Sequence, residues 1–274
     1  MSWGHAVSRD LLHWEQKDDV LFPDETGTMF SESGIVNDRK MLGLPEDTVI
    51  FFYTADGNNN KWSAGKQFTQ CIAYSTDLLK WEQTDSVRHA AYINKIAYAA
   101  QTYSNTGNRV ISVPWLRFPN RGRNYTGAMG LPREFSVAYK NGEKVLRQEP
   151  VREYEDSRKP VYDNTMKNVR QQDTATEIQI THAQSEDILS ARINQKTDFV
   201  YNAKTGELKI GEETFATGVG IRDFSLLFDD VILEMTADCG TITGIFELPE
   251  IAEKFCMEKG SIEKIQVFGE EVWQ

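Results

Sequence analysis

Carboxylates carry most of the chemistry that this chain's residue types could perform. Asp10 and Asp77 stand in two closely similar phrases, and Asp24, Glu25 and Glu32 crowd one short stretch. Two acidic groups flanking a bond can divide the work, one as proton donor and one as base or nucleophile. No spacing in the sequence gives any of these five a partner or a reason for a raised pKa. Arg222-Asp223 reads as an exposed pair at a strand start. Four histidines, with His5 and His13 close together near the start, make a metal centre an unexpected feature. Cys71, Cys239 and Cys256 have no Cys-x-x-Cys spacing, so neither a disulfide framework nor a structural zinc is expected. No cofactor is expected.

The two phrases define the elements that hold these residues. Residues 6–16 read Ala-Val-Ser-Arg-Asp-Leu-Leu-His-Trp-Glu-Gln, and residues 73–83 read Ala-Tyr-Ser-Thr-Asp-Leu-Leu-Lys-Trp-Glu-Gln. Repetition of A-x-S-x-D-L-L-x-W-E-Q marks an architecture that stacks one supersecondary unit. Each copy is a β-prone run, a Ser-x-Asp turn able to cap its own N–H groups, and a Trp for the returning strand to bury. Asp10 and Asp77 are therefore turn residues, and the unit is a hairpin of the kind found in β-propeller blades.

Further strands are expected at Val49–Tyr53, Cys71–Tyr74, Val110–Val113 and Phe135–Tyr139, with Asn141-Gly142 as a tight hairpin turn. Helical periodicity is confined to Pro249–Lys259. A polar stretch near 147–160 reads as a linker. Beyond it, closely spaced strands from Ala175 to Phe246 suggest a β-sandwich. At about 40–45 residues per blade, the first part supplies roughly three blades, fewer than the 4–8 that propellers carry. The expected class is all-β, an incomplete β-propeller over 1–146, a linker over 147–160 and a β-sandwich over 161–274.

The chain has 274 residues, a net charge of −11 and a hydrophobic fraction of 40%. That is the composition of a globular protein, and its field repels nucleic acid and anionic membranes. No run of eighteen apolar residues suggests a membrane helix. No leader peptide is read at Met1, so a cytoplasmic location follows if that start is genuine. The sequon Asn124-Tyr125-Thr126 is read as chance.

Four segments, in order, resemble glycoside hydrolase family 32, the invertases, levanases and other β-fructosidases. They are Trp3–Glu15, Met29–Val36 (its Phe-Ser-Gly-Ser segment), Gly127–Phe135 (its Gly-Ala-Met-x-Leu-Pro-Arg-Glu-Leu run) and Asp229–Glu234. The resemblance implies a five-bladed propeller followed by a β-sandwich, and a substrate that is sucrose, a fructo-oligosaccharide or a fructan. The Ser-x-Asp-x-x-x-Trp element is also similar to the Asp-box turns of sialidase-like propellers. No arginine cluster accompanies it here, and the Leu-Pro-Arg-Glu run argues for the first family.

Family members take a nucleophilic Asp from Trp-Met-Asn-Asp-Pro-Asn-Gly, an acid/base Glu from Glu-Cys, and a further Asp from Arg-Asp-Pro. None of these motifs occurs in this sequence. Ile96–Thr102 resembles the family's Asp-Phe-Tyr-Ala-Pro-Gln-Thr segment, with Ile96 where its Asp belongs. The resemblance thus implies an N-terminal truncation, loss of an internal segment, no catalytic residue and no activity of this chain alone. The alternatives are a fructan- or glycan-binding protein that does not cleave, and a gene remnant. Substrate-binding positions implied by the family are Phe30, Ser31, Tyr98 and Trp115, with Trp3 and Trp62 as weaker candidates and core packing as the competing role for each. Open sheet edges of an incomplete propeller lead to an expectation of self-association.

Overall fold

The structure, a computed structural model, describes residues 2–38, 40–66, 68–89, 91–162, 168–170, 175–182 and 188–270. At 31–32, 41, 70, 83–89, 161–162, 168–170 and 270 that description covers the backbone alone. The chain forms two compact units, Met1–Ala91 and Tyr92–Gln274.

In the first unit, β1 (Trp3–Ser8) and β2 (Trp14–Leu21) form a two-stranded hairpin. A four-stranded antiparallel sheet follows, β3 (Thr28–Val36), β4 (Val49–Asp56), β5 (Thr69–Ser75) and β6 (Glu82–His89), paired in chain order. The sequence repeat is a structural repeat down to its register. Ala6 faces Gln16 and Val7 faces Glu15 in the first hairpin; Ala73 faces Gln83 and Tyr74 faces Glu82 in the second.

The turns match as well. Ser8 Oγ accepts the Leu11 N–H at 2.9 Å, and Asp10 Oδ1 accepts those of Leu12 and His13 at 2.9 and 2.8 Å. Ser75 and Asp77 do the same for Leu78, Leu79 and Lys80. These bonds hold Leu11 and Leu78 at φ of 64° and 61°, a left-handed conformation that a leucine adopts only when its surroundings enforce it. Backbone N–H donors, His13's first, hold the Asp10 carboxyl well below the ordinary carboxylate range, and those of Lys80 and Leu79 lower Asp77. Both acids are committed to their turns.

The second unit begins with another blade-type sheet. Its strands are β7 (Ala97–Thr102), β8 (Val110–Leu116), β9 (Ala128–Met129), β10 (Arg133–Lys140) and β11 (Glu143–Pro150), in the order β11-β10-β8-β7 with β9 beside β8. Asn141 and Gly142 turn between β10 and β11 with φ of 52° and 84°, as two-residue hairpins require. A short helix, α1 (Arg152–Ser157), then occupies the polar stretch read as a linker.

Twelve further strands complete the unit: β12 (Arg158–Tyr162), β13 (Asn168–Arg170), β14 (Thr176–His182), β15 (Ile188–Ile193), β16 (Thr197–Asn202) and β17 (Glu207–Ile210); then β18 (Glu213–Ala216), β19 (Asp223–Asp229), β20 (Ile232–Ala237), β21 (Ile242–Glu247), β22 (Lys254–Lys259) and β23 (Ile262–Glu270). They make two six-stranded sheets, β12-β23-β14-β19-β20-β21 and β13-β22-β15-β16-β17-β18. Alternate residues from both sheets, among them Ile178, Leu189, Phe199, Phe224, Leu226 and Met235, fill one continuous core. This is the packing of a β-sandwich. Propeller-type sheets and a sandwich make the chain all-β, with fewer blades among its described residues than a five-bladed ring needs.

The helical period at Pro249–Lys259 is not realised. Lys254–Lys259 is β22, hydrogen-bonded between β13 and β15, and Phe255 enters the core. Ladder bonds on both sides and a buried ring outweigh a weak local preference.

Helix α1 is tied to the blade-type sheet by Arg109. Its guanidinium grips Glu153 at 2.5 and 2.8 Å and Glu134 at 2.8 Å. Hydrogen bonds from Arg109 hold the Glu153 carboxyl down to about 2, from an ordinary 4.5. A lowered folded-state pKa stabilises above the unfolded value and is lost as pH falls through the folded one. The acid limb of stability between pH 4.5 and 2 should therefore flatten in Arg109→Gln, and its Tm should converge on that of the parent chain by pH 2. Parallel melting curves for the two proteins across that range would refute the assignment.

Candidate functional site

Tyr98 and Trp115 are the two expected site residues that the structure brings together. They are cross-strand partners on β7 and β8, with ring centroids 6.1 Å apart in a T-shaped arrangement. The ladder is irregular between Tyr98 and Gln101, where Ala99 takes φ of 45°. Such a bulge bends a strand and re-aims side chains. Trp115 is 37% exposed, so its ring is available to a ligand as well as to its neighbour.

Two further residues complete this surface. The Arg117 guanidinium lies over the Tyr98 ring, 4.6 Å from its centroid. Met129 pairs with Trp115 from β9 and is exposed. Gly127 sets the approach of that segment: at φ of 68°, a Cβ there would stand 2.5 Å from the Trp115 indole nitrogen. Arg117 was not singled out in the sequence. The signal was available, since it follows Trp115 by two residues and a strand returns to one face with that period. An aromatic pair under a planar five-donor cation suits a polyhydroxylated ligand that presents both C–H faces and hydroxyl acceptors.

Phe30 and Ser31 belong to the first unit. Phe30 is half-buried on β3 and makes a T-shaped contact with Phe68 at 6.4 Å. Ser31 and Glu32 fall within the register shift between Phe30 and Ser33, and their side chains lie outside the described structure. Trp3 is a packing residue, T-shaped against Phe51 at 5.4 Å and Tyr53 at 5.9 Å. Trp62 is exposed, with Lys61 over its ring at 4.9 Å.

Four of the acids singled out in the sequence, Asp10, Asp24, Asp77 and Asp223, are occupied locally. Asp24 accepts the Thr26 N–H at 2.7 Å, and Asp10 and Asp77 close their turns. Arg222 bonds the His182 carbonyl and Glu263, while Asp223 accepts the Cys239 N–H at 2.7 Å. Among the described residues, no group of three or more His, Cys, Asp or Glu is placed to hold a metal ion. An open cleft of about 870 Å³ lies elsewhere in the second unit, lined by Arg123, Tyr125, Lys196, Asp230 and Glu250 among others. Its charges are largely spent on protein partners: Tyr125 donates to Asp230, Lys196 pairs with Glu250 at 2.7 Å, and Arg123 pairs with Glu247 at 2.8 Å.

Residues 1–95 match the family described as the glycosyl hydrolases family 32 N-terminal domain. A levanase of Bacillus subtilis is 40% identical over 80 residues, which is 28% of this chain and 11% of that protein. The chain therefore spans about a tenth of that curated relative. The family 32 β-fructofuranosidase of Bombyx mori superposes with a TM-score of 0.67 at 14% identity, over 97% of this chain and 60% of that one. A β-fructofuranosidase of Schwanniomyces occidentalis, solved with fructosyl-erythritol, gives 0.66 at 13% identity, over 97% and 64%. At such identities these two superpositions speak for the fold. Residues 1–95 thus match the family 32 N-terminal domain, and the whole chain is similar in fold to family 32 β-fructofuranosidases.

Proposed function

We propose that this chain recognises the terminal fructosyl unit of sucrose or of a fructan, and that by itself it does not cleave the glycosidic bond. The observation that carries the first half is the Tyr98–Trp115 pair beneath Arg117, at the positions where family resemblance expects sugar contacts. For Phe30 and Ser31, which belong to the first unit, a sugar contact rests on the family resemblance alone. The second half rests on the sequence, which lacks Asn-Asp-Pro, Glu-Cys and Arg-Asp-Pro, and on turn acids already committed to backbone N–H groups. Without an acid/base and a nucleophile the family's two chemical steps have no agents. The division into a propeller-type part over 1–146, a linker over 147–160 and a sandwich over 161–274 belongs to this reading, as does self-association through open propeller edges.

Calorimetric titration with fructo-oligosaccharides tests recognition. The intact chain should release heat at millimolar ligand, and Trp115→Ala should bind about three- to tenfold more weakly, the worth of one aromatic contact. No heat from the intact chain would end the recognition half. Fructose released from sucrose or inulin above a buffer control would end the non-cleaving half.

A further inference from the structure

The open cleft of the second unit is balanced in charge, in a chain whose net charge is −11. Arg123, Lys196 and Lys254 line it together with Asp230, Glu250 and Glu253. Lys196 is paired with Glu250, Tyr125 donates to Asp230, and Glu253 and Lys254 adjoin in sequence. A charged ligand drawn to one of these groups is repelled by its neighbour, so the cleft favours a neutral occupant. Being open, it cannot withdraw a wholly apolar ligand from water.

Its walls are fixed by the protein's own bonds. Asn194 Nδ2 donates to the Ile251 carbonyl at 2.6 Å, and its Oδ1 accepts the N–H groups of Glu253 and Lys254 at 2.8 and 3.0 Å. The Tyr125 ring stands T-shaped to Phe118 at 6.4 Å, with the Arg123 guanidinium 5.6 Å from its centroid. On this rigid frame Tyr125 is 39% and Ile251 52% exposed. Asn124 and Gln195 are exposed too, and neither amide makes a hydrogen bond among the described residues. Gln195 is an unexpected residue at its position. The turn from Ile193 to Lys196 holds Asn194 and Gln195 at φ of 51° and 63°, where asparagine and glycine are at ease and glutamine is strained.

We propose that this cleft is a second binding site, and that its ligand is a neutral oligosaccharide. A sugar ring lays its C–H face on the Tyr125 ring and Ile251. Its hydroxyls exchange hydrogen bonds with the Asn124 and Gln195 amides, which both donate and accept. The cleft's volume of about 870 Å³ lies within the range of about 300–1,000 Å³ that small-ligand sites occupy. The inference does not depend on the Tyr98–Trp115 reading, because the two surfaces share no residue.

The probes are short-chain inulin and maltoheptaose, two neutral glycans of different sugars, each at millimolar concentration. Deuterium exchange of the intact chain should slow at 192–196 and 250–254 with at least one of them. Calorimetry with that glycan in the Trp115→Ala background isolates the cleft, and adding Tyr125→Ala should weaken binding about three- to tenfold. Gln195→Gly should also weaken it while the melting temperature holds, since glycine is at ease at that φ; a ligand contact is thereby separated from a folding defect. No slowing at the cleft with either glycan overturns the inference, as does equal affinity with and without Tyr125→Ala. Slowing at 97–102 and 110–116 alone overturns it as well and leaves the Tyr98–Trp115 reading standing; slowing at the cleft alone upholds it and counts against that reading.

Discussion

Glu234→Ala is expected to destabilise the chain by about 3–5 kcal/mol, the cost of stripping a buried charge of its partner. Glu234 Oε2 accepts a bond from Arg133 at 2.9 Å, and Oε1 accepts the Leu131 N–H at 2.7 Å. Arg133, 1% exposed, donates its other terminal nitrogen to Thr236 at 2.7 Å. Without the carboxylate, the guanidinium stays charged, because arginine does not surrender its proton, and the Leu131 N–H loses its acceptor. Replacing both members by apolar residues, in Arg133→Met with Glu234→Leu, removes the charges together. That double variant should recover most of the loss. Urea unfolding of the two single variants and the double gives the comparison. A single-variant cost below about 1 kcal/mol would show that water reaches the pair and that it behaves like a surface bridge.

The second large effect concerns helix α1. Glu177 is buried, and its two oxygens accept from Tyr154 at 3.1 Å, Arg158 at 2.5 Å, Gln179 at 2.8 Å and Ser225 at 2.7 Å. Tyr154 lies on α1 and Arg158 begins β12, so one carboxylate pins the linker region to β14 and β19. Glu177→Leu should cost about 3–5 kcal/mol, for the same reason as Glu234→Ala. It should also raise amide hydrogen exchange across Arg152–Ser157, where the surface grip of Arg109 on Glu153 and the burial of Tyr154 remain. Unchanged exchange in α1 would mean that burial of Tyr154 holds the helix without Glu177.

These networks separate what local chemistry dictates from what it leaves open. The Ser-x-Asp turns were legible because every bond in them spans two or three residues. The strands and the Asn141-Gly142 hairpin were legible for a related reason, since side-chain alternation and turn preference act within one element. Pro249–Lys259 was misread because its periodicity is weak and its fate depends on β13 and β15, distant in sequence. Arg133 and Glu234 are 101 residues apart, and nothing near either announces the other. At the candidate site, the resemblance pointed to Tyr98 and Trp115 separately. Their direct pairing, the Arg117 guanidinium over Tyr98 and the close pass of Gly127 depend on how β7, β8 and β9 register.

By its sequence alone, the chain determined its all-β class, its repeated hairpin and the structural fate of Asp10 and Asp77, because short-range hydrogen bonding and alternating burial suffice for each. Tertiary structure alone decided which tryptophan of the repeat is covered. Trp14 and Trp81 stand in the same phrase, and only the strand that packs against one and not the other tells them apart.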